Sequence, residues 1–246
     1  MSSSEATGGR PGPPAGVRSV VPATEDATRV VLVRHGEATC NVAGVVGGHL
    51  GCSGLTDVGR RQAGALRARL AATGELGGAA ALYASVLPRA LETAAVIAAA
   101  VGEGTPATAD CGLCELHPGE ADGLDWDEFR RRYGEPDFVG DPDTLVAPGG
   151  ESWRGFVARA TEALAAVAAA HRGRLAVVVC HAGVIEASLV RHLPLAPATR
   201  LRLATEHTSL TEWDASEATW RLLRYNDAAH LRGAQVPAGP GTAQQA

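Results

Sequence analysis

The chain has 246 residues, with 22 Lys/Arg against 27 Asp/Glu and a formal net charge of −5. That balance gives no nucleic-acid footprint, and no apolar run approaches the roughly 20 residues of a membrane span. Aromatic residues make up only 4%, so the core must rest on Val, Leu and Ile runs. Met1-Ser2-Ser3-Ser4-Glu5 lacks a basic start and an apolar stretch, so no secretory signal is expected. Five cysteines, an odd number without small-scaffold spacing, point to free thiols in a reducing cytoplasm.

Residues 1–27 are Ser, Gly, Pro, Ala and Thr with few large apolar groups, too few to offset the entropy of ordering. They are expected to form a disordered tail, as are residues 233–246, leaving one folded domain over 28–232. Thr28 to Arg34 reads as the first strand, followed by a glycine-rich loop from Ala43 to Gly54. Thr56 is an N-cap for a helix to about Thr73, with Val58, Ala63, Leu66 and Leu70 as its buried stripe. Ala80 to Ser85 is a short strand. Pro88 opens a helix to about Val101 with Leu91, Ala94, Ala95 and Ala98 on one face.

Thr105 to about Gly150 is irregular apart from a short helix near Trp126 to Tyr133, and a connection of that length usually carries function. Ser152 opens a helix to about His171, with Phe156, Ala160, Leu164 and Val167 inward. Leu175 to Cys180 is a buried strand. Gly183 to His192 is a helix with Val184, Ile185, Leu189 and Val190 on its apolar side. Thr208 to Trp213 and Thr219 to Tyr225 alternate as two closing strands. Strands alternating with helices predict a three-layer α/β/α sandwich around a largely parallel central sheet.

Polar residues follow the ends of three apolar strands: Arg34 and His35 after the first, Arg89 after the second and His181 after the third. That rim is where open α/β sheets bind ligands. Arginine forks match phosphate oxygens and keep their charge. A neutral imidazole is a competent nucleophile toward phosphorus. Phosphoryl transfer needs positioning and charge stabilisation, which these cations supply without a metal or cofactor. A carboxylic acid from the irregular segment would protonate the leaving alkoxide.

These residues resemble the histidine phosphatase superfamily, also called phosphoglycerate mutase-like, over nearly all of the folded part. Arg34-His35-Gly36-Glu37 with Asn41 is similar to its signature at the phosphorylated histidine. Leu55-Thr56 with Gly59 and Gln62-Ala63, and Tyr83-Ala84-Ser85 with Leu87, Arg89-Ala90 and Thr93-Ala94, resemble two further segments. Leu113, Glu115, Gly119 and Gly123 fall on the acid-bearing pattern, and Gly150-Glu151-Ser152 on a helix start. Val179-Cys180-His181-Ala182-Gly183 resembles the second histidine, and Trp220, Tyr225-Asn226-Asp227 and His230-Leu231 match near the end.

The resemblance implies a metal-independent phosphatase that hydrolyses a small phosphomonoester through a phosphohistidine. His35 would be the nucleophile, with Arg34, Arg89 and His181 holding the phosphoryl group. Glu115 would be general acid and then base. Asn41 would touch the phosphate or substrate, with the loop at Gly48 approaching it. The sequence departs from the family at Ala38 (often Thr or Ser), Gly47-Gly48 (usually Gln-Gly), Ala121-Asp122-Gly123 (often Trp-Glu-Gly) and Ala182 (often Gly). All of these bear on substrate. The expected partner is a small phosphorylated metabolite, with no nucleic acid and no membrane; oligomeric state, a homodimer included, stays open.

Alternatives remain at this stage. A phosphoglycerate mutase-type phosphotransferase would carry bulky residues after the signature and a lysine-rich insertion, where this chain has Cys40, glycines and little lysine. An inactive phosphate-binding module is disfavoured because every proposed catalytic group is present. Glu120 and Asp122 rival Glu115. Glu37 and Glu151 are expected to cap or brace, and His192, His207 and His230 have no case alone, though His230 fits a brace at the site's edge. Cys111-Gly112-Leu113-Cys114 with His117 lacks a second ligand pair for zinc. It also lacks the strand-to-helix setting of a redox pair, so two incidental thiols is the default.

Overall fold

The first strand, β1 (Thr28–Arg34), carries the unbroken apolar run Val30–Val33 because both its faces are covered. Val30 and Leu32 point into one core and Val31 and Val33 into another, the two-residue period of a strand dividing them. The computed structural model describes residues 26–102, 106–193 and 203–233. Most of both expected tails, 1–25 and 234–246, lies outside these. Asp26 and Ala27, assigned to the tail from sequence, are attached to the fold: the Gly173 N–H donates to the Asp26 carbonyl (3.2 Å) and Ala27 is buried.

The remaining elements are α1 (Thr39–Ala43), α2 (Asp57–Thr73), β2 (Ala81–Ala84), α3 (Pro88–Val101), β3 (Thr108–Ala109), α4 (Trp126–Tyr133), α5 (Trp153–Ala170), β4 (Leu175–Cys180), α6 (Ala182–His192), β5 (Leu210–Ala215), β6 (Trp220–Asp227) and α7 (Ala229–Gly233). The sheet order is β3-β2-β4-β1-β5-β6. The first four in that order pair in parallel, while β5 and β6 are antiparallel. Leu66 and Leu70 of α2 and Ala94 and Ile97 of α3 cover one face; Phe156 and Leu164 of α5 and Val184 and Ile185 of α6 cover the other. The three-layer, largely parallel expectation therefore stands. The long excursion between β3 and α5 packs Ala121, Phe129, Val146 and Ala147 into a small core with Val46 of the glycine loop.

Caps set several boundaries. Thr56 accepts from the Gly59 N–H (2.9 Å) and Ser152 from the Gly155 N–H (3.1 Å). Two helix faces differ from expectation. Leu91 and Ala95 are exposed, and α3 buries Ala90, Thr93, Ala94, Ile97 and Val101. That rotation turns Arg89 inward, so the largest apolar residue of the first turn goes to solvent. Val190 is also exposed, since Ala187, Ser188 and Leu189 take the inward positions of α6.

Candidate active site

Register builds the centre. Arg34 of β1 lies opposite Cys180 of β4, and the His35 N–H extends the ladder to the Cys180 carbonyl (3.0 Å). His35 and His181 therefore leave adjacent parallel strands at the same level, with ring centroids 5.1 Å apart. Ser85 follows β2, its N–H bonded to the Val179 carbonyl (3.0 Å). Pro88 at the first helical position then starts α3, which delivers Arg89 one residue on.

The His35 Nδ1 lies 2.7 Å from the Gly36 carbonyl. A carbonyl only accepts, so Nδ1 carries the proton and Nε2 keeps a lone pair. The Arg89 Nε donates toward that Nε2 (3.1 Å), and the Arg89 Nη1 to the Gly47 carbonyl (2.8 Å). Burial, reinforced by Arg89, His181 and Arg34, holds the His35 pKa well below its usual value. The imidazole is neutral, and a neutral ring is the nucleophilic form.

Arg34 is fully buried, donating to the Thr205 carbonyl and, from Nη2, to His207 Nε2 (3.0 Å). Burial lowers its pKa to about 10, with Glu115 opposing and Arg89 assisting. His181 is buried, with Nε2 2.8 Å from the Ser85 hydroxyl and Nδ1 without a hydrogen-bond partner. Burial, then Arg89 and Arg34, press its pKa down as well.

Glu115 meets the N-terminus of α6: Oε2 accepts from the Gly183 N–H (3.1 Å) and Oε1 from the Leu116 N–H (3.2 Å). A side chain at residue 183 would place its Cβ 2.1 Å from Glu115 Oε1, which is why glycine stands there. The rivals have other positions. Asp122 accepts backbone N–H groups from Gly48 (2.9 Å), Leu50 (2.8 Å) and Gly51 (2.8 Å), fastening the glycine loop. Glu120 is exposed.

Asn41 and Gly48 serve the rim. With Ala38 at the N-cap of α1, no side chain there can accept, and Asn41 Oδ1 instead takes the Ala38 N–H (3.0 Å). The Gly48 N–H is committed to Asp122, and it is the neighbouring Gly47 carbonyl that meets Arg89. A Cβ at Gly47 would sit 2.6 Å from Cys40 Sγ, so the close approach needs glycine.

Sequence reasoning missed two groups. His207 sets its ring, tilted by 52°, with its centroid 5.7 Å from that of His35, and pairs with Arg34; it lies in an irregular segment that no periodicity flags. Glu186 on α6 is raised to about 7 by burial and by Glu115, and a glutamate on a helix gives no sequence signal of that. His230 does brace the edge: its Nε2 is 2.9 Å from the Thr208 hydroxyl, and Thr208, at φ 56°, donates its N–H to the Arg34 carbonyl (2.9 Å). Glu37 and Glu151 also brace, accepting from the Thr56 hydroxyl (2.7 Å) and from Arg159 (2.7 Å).

The histidine phosphatase superfamily (branch 1) model matches residues 30–228. A metal-independent phosphoserine phosphatase of Arabidopsis thaliana is 34% identical over 212 residues, 84% of each chain. The solved structure of Bacillus stearothermophilus YhfR is similar with a TM-score of 0.72 and 29% identity, covering 83% of this chain and all of that one. A mycobacterial glucosyl-3-phosphoglycerate phosphatase in complex with VO3 gives a TM-score of 0.65 and 27% identity, covering 80% of this chain and 98% of that one.

Proposed function

The chain belongs to branch 1 of the histidine phosphatase superfamily and is a phosphomonoester hydrolase, and on that premise we propose that His35 is the residue phosphorylated in turnover. The carrying observation is the His35 Nδ1 contact to the Gly36 carbonyl, which leaves the Nε2 lone pair among Arg89, Arg34 and His181. A phosphoryl group entering there takes over the Arg89 Nε–H and the Arg34 guanidinium, and its charge favours a proton on His181 Nδ1. Nε2 attacks phosphorus, the P–O ester bond breaks, and the departing alkoxide takes a proton from Glu115. Glu115, now a carboxylate, removes a proton from water as the water oxygen attacks phosphorus and the P–Nε2 bond breaks. Phosphate leaves and His35 is neutral again.

Asn41 and Gly48 act through the backbone they fix, as the helix cap and as a donor to Asp122. The substrate is a small phosphorylated metabolite, and phosphoserine, named for the Arabidopsis relative, is the first to test. No nucleic-acid or membrane partner is assigned: the net charge is −5, and among the described residues no helix is long and apolar enough to cross a membrane. The odd cysteine count without small-scaffold spacing is the support for a reducing, cytoplasmic location.

The test is turnover of p-nitrophenyl phosphate and phosphoserine without added divalent cation, with rapid-quench trapping of an acid-labile, alkali-stable phosphoprotein. Turnover and label in the wild type, and neither in His35→Ala, are expected. Equal activity in that variant would overturn the assignment.

A further inference from the structure

The cysteine pair left unexplained by the sequence acquires partners in the fold. His49, on the glycine loop, and His117 close on Cys111 and Cys114, and one ligand atom from each lies within 4.8 Å of all the others. Cys111 Sγ is 3.5 Å from His117 Nε2 and 3.9 Å from His49 Nε2. We propose that His49, Cys111, Cys114 and His117 form a Cys2His2 site for one Zn2+, bridging the glycine loop to the loop that carries Glu115.

Size and chemistry both fit. Zn–S bonds of about 2.3 Å and Zn–N bonds of about 2.0 Å set tetrahedral ligand atoms roughly 3.3–3.8 Å apart. The four atoms need close by at most about 1.5 Å, within reach of side-chain rotation at the exposed His49. Two thiolates and two imidazoles select a borderline-soft ion over calcium or magnesium. A Cys-x2-Cys-x2-His run supplies three ligands, and the fourth comes from 62 residues upstream of Cys111.

The surroundings are those of a built site rather than of incidental thiols. His117 Nδ1 lies 3.6 Å from Glu151 Oε2, placing a carboxylate behind a ligating ring. Arg159 fixes that carboxylate (2.7 Å) and donates to the carbonyls of Cys111, Gly112 and Cys114 (3.2, 2.9 and 3.1 Å), holding the thiol loop in shape. The Ser85 hydroxyl donates to Cys114 Sγ (3.3 Å), the bond a metal thiolate needs. With that proton so directed, the Ser85 oxygen accepts from the Leu87 N–H (3.2 Å) and from His181 Nε2–H (2.8 Å). Exposed His49 and half-buried Cys111 leave an entry path, while Cys114 is buried. The ion takes no part in phosphoryl transfer; it fastens two loops around it.

The test measures the metal itself. Full-length protein, purified under reducing conditions and dialysed into metal-free buffer, is expected to keep about one zinc per chain. The metal-stripped protein is expected to take up Co2+ with a thiolate-to-cobalt charge-transfer band and the intense visible bands of a tetrahedral site. His49→Gln and Cys111→Ser alter the accessible ligands and spare the buried Cys114; each is expected to weaken Co2+ binding by at least roughly 10-fold. His35→Ala, inactive if the catalytic reading holds, is expected to bind Co2+ like the wild type, so the two readings fail separately. Undiminished binding in His49→Gln and Cys111→Ser, no thiolate band, or a Cys111–Cys114 disulfide in the reduced preparation would overturn the site.

Discussion

His35 and His181 bring their ring centroids to 5.1 Å because each follows by one residue a pair, Arg34 and Cys180, that is in register across β1 and β4. Two strands separated by most of the sequence thus place the proposed nucleophile and the proposed phosphate ligand with backbone precision. His181→Ala is expected to lower kcat on p-nitrophenyl phosphate by roughly 10²–10³-fold while still forming the phosphoprotein slowly, as for loss of one charge-stabilising group. His35→Ala is expected to form none. Rapid-quench labelling separates the two.

Glu115 as acid and Asp122 as loop fastener predict different kinetic signatures. Glu115→Gln should cost roughly 10²–10⁴-fold on a poor leaving group such as phosphoserine and much less on p-nitrophenyl phosphate. Asp122→Ala, which orphans the N–H groups of Gly48, Leu50 and Gly51, should raise KM on both substrates alike. A leaving-group dependence in Asp122→Ala would move the acid role.

Gly183 makes room for the Glu115 carboxylate. Gly183→Ala puts a Cβ 2.1 Å from Glu115 Oε1, a distance real contacts do not sustain, so the carboxylate must swing away. The variant is expected to fold, to resemble Glu115→Gln in its leaving-group dependence, and to keep forming the phosphoprotein from p-nitrophenyl phosphate.

Stability is expected to fall on acidification. Burial with Arg34 holds His207 down to about 2, and burial holds His192 and His230 down to about 4. Below the unfolded value near 6.5 the unfolded chain takes protons that the native rings refuse. These groups therefore favour folding fully above pH 6.5 and lose that contribution as pH falls, at up to about 1.4 kcal/mol per pH unit for each ring. Denaturant unfolding of His207→Asn should show a shallower decline between pH 6 and 4.

Glu186 has the opposite sign. Its folded value, raised to about 7, lies above the unfolded 4.5, so its contribution is complete below pH 4.5 and is lost as pH rises through 7. Glu186→Gln should be more stable than wild type at pH 8, by on the order of 1–3 kcal/mol, and no more stable at pH 4.5. The comparison is read from urea midpoints at the two values.

Much of this molecule is legible in one dimension. The runs at Val30–Val33 and Val177–Val179 announce buried strands because a strand covered on both faces has no polar side to show. Pro88, Thr56 and Ser152 mark helix starts through local chemistry. Arg34, His35, Arg89 and His181 stand out because each closely follows such an element, whereas Glu115, in the irregular segment, stands out only through the family resemblance. The inward face of α3 was not: Leu91 and Ala95 yielded to the row containing Arg89, since the active site claimed that side.

What the sequence determined by itself was the order of elements, the strand-end placement of Arg34, His35, Arg89 and His181 and the chemical class they imply, all properties of short windows. Only the tertiary structure decided which distant groups meet. His207 pairs with Arg34 across 173 positions, Asp122 closes the glycine loop from 74 positions beyond Gly48, and His49 reaches Cys111 across 62. Such meetings follow from sheet order and loop path, which no local pattern encodes. They turn a histidine without a case, an acid rival and two apparently incidental thiols into a buried brace, a clasp and the proposed metal site.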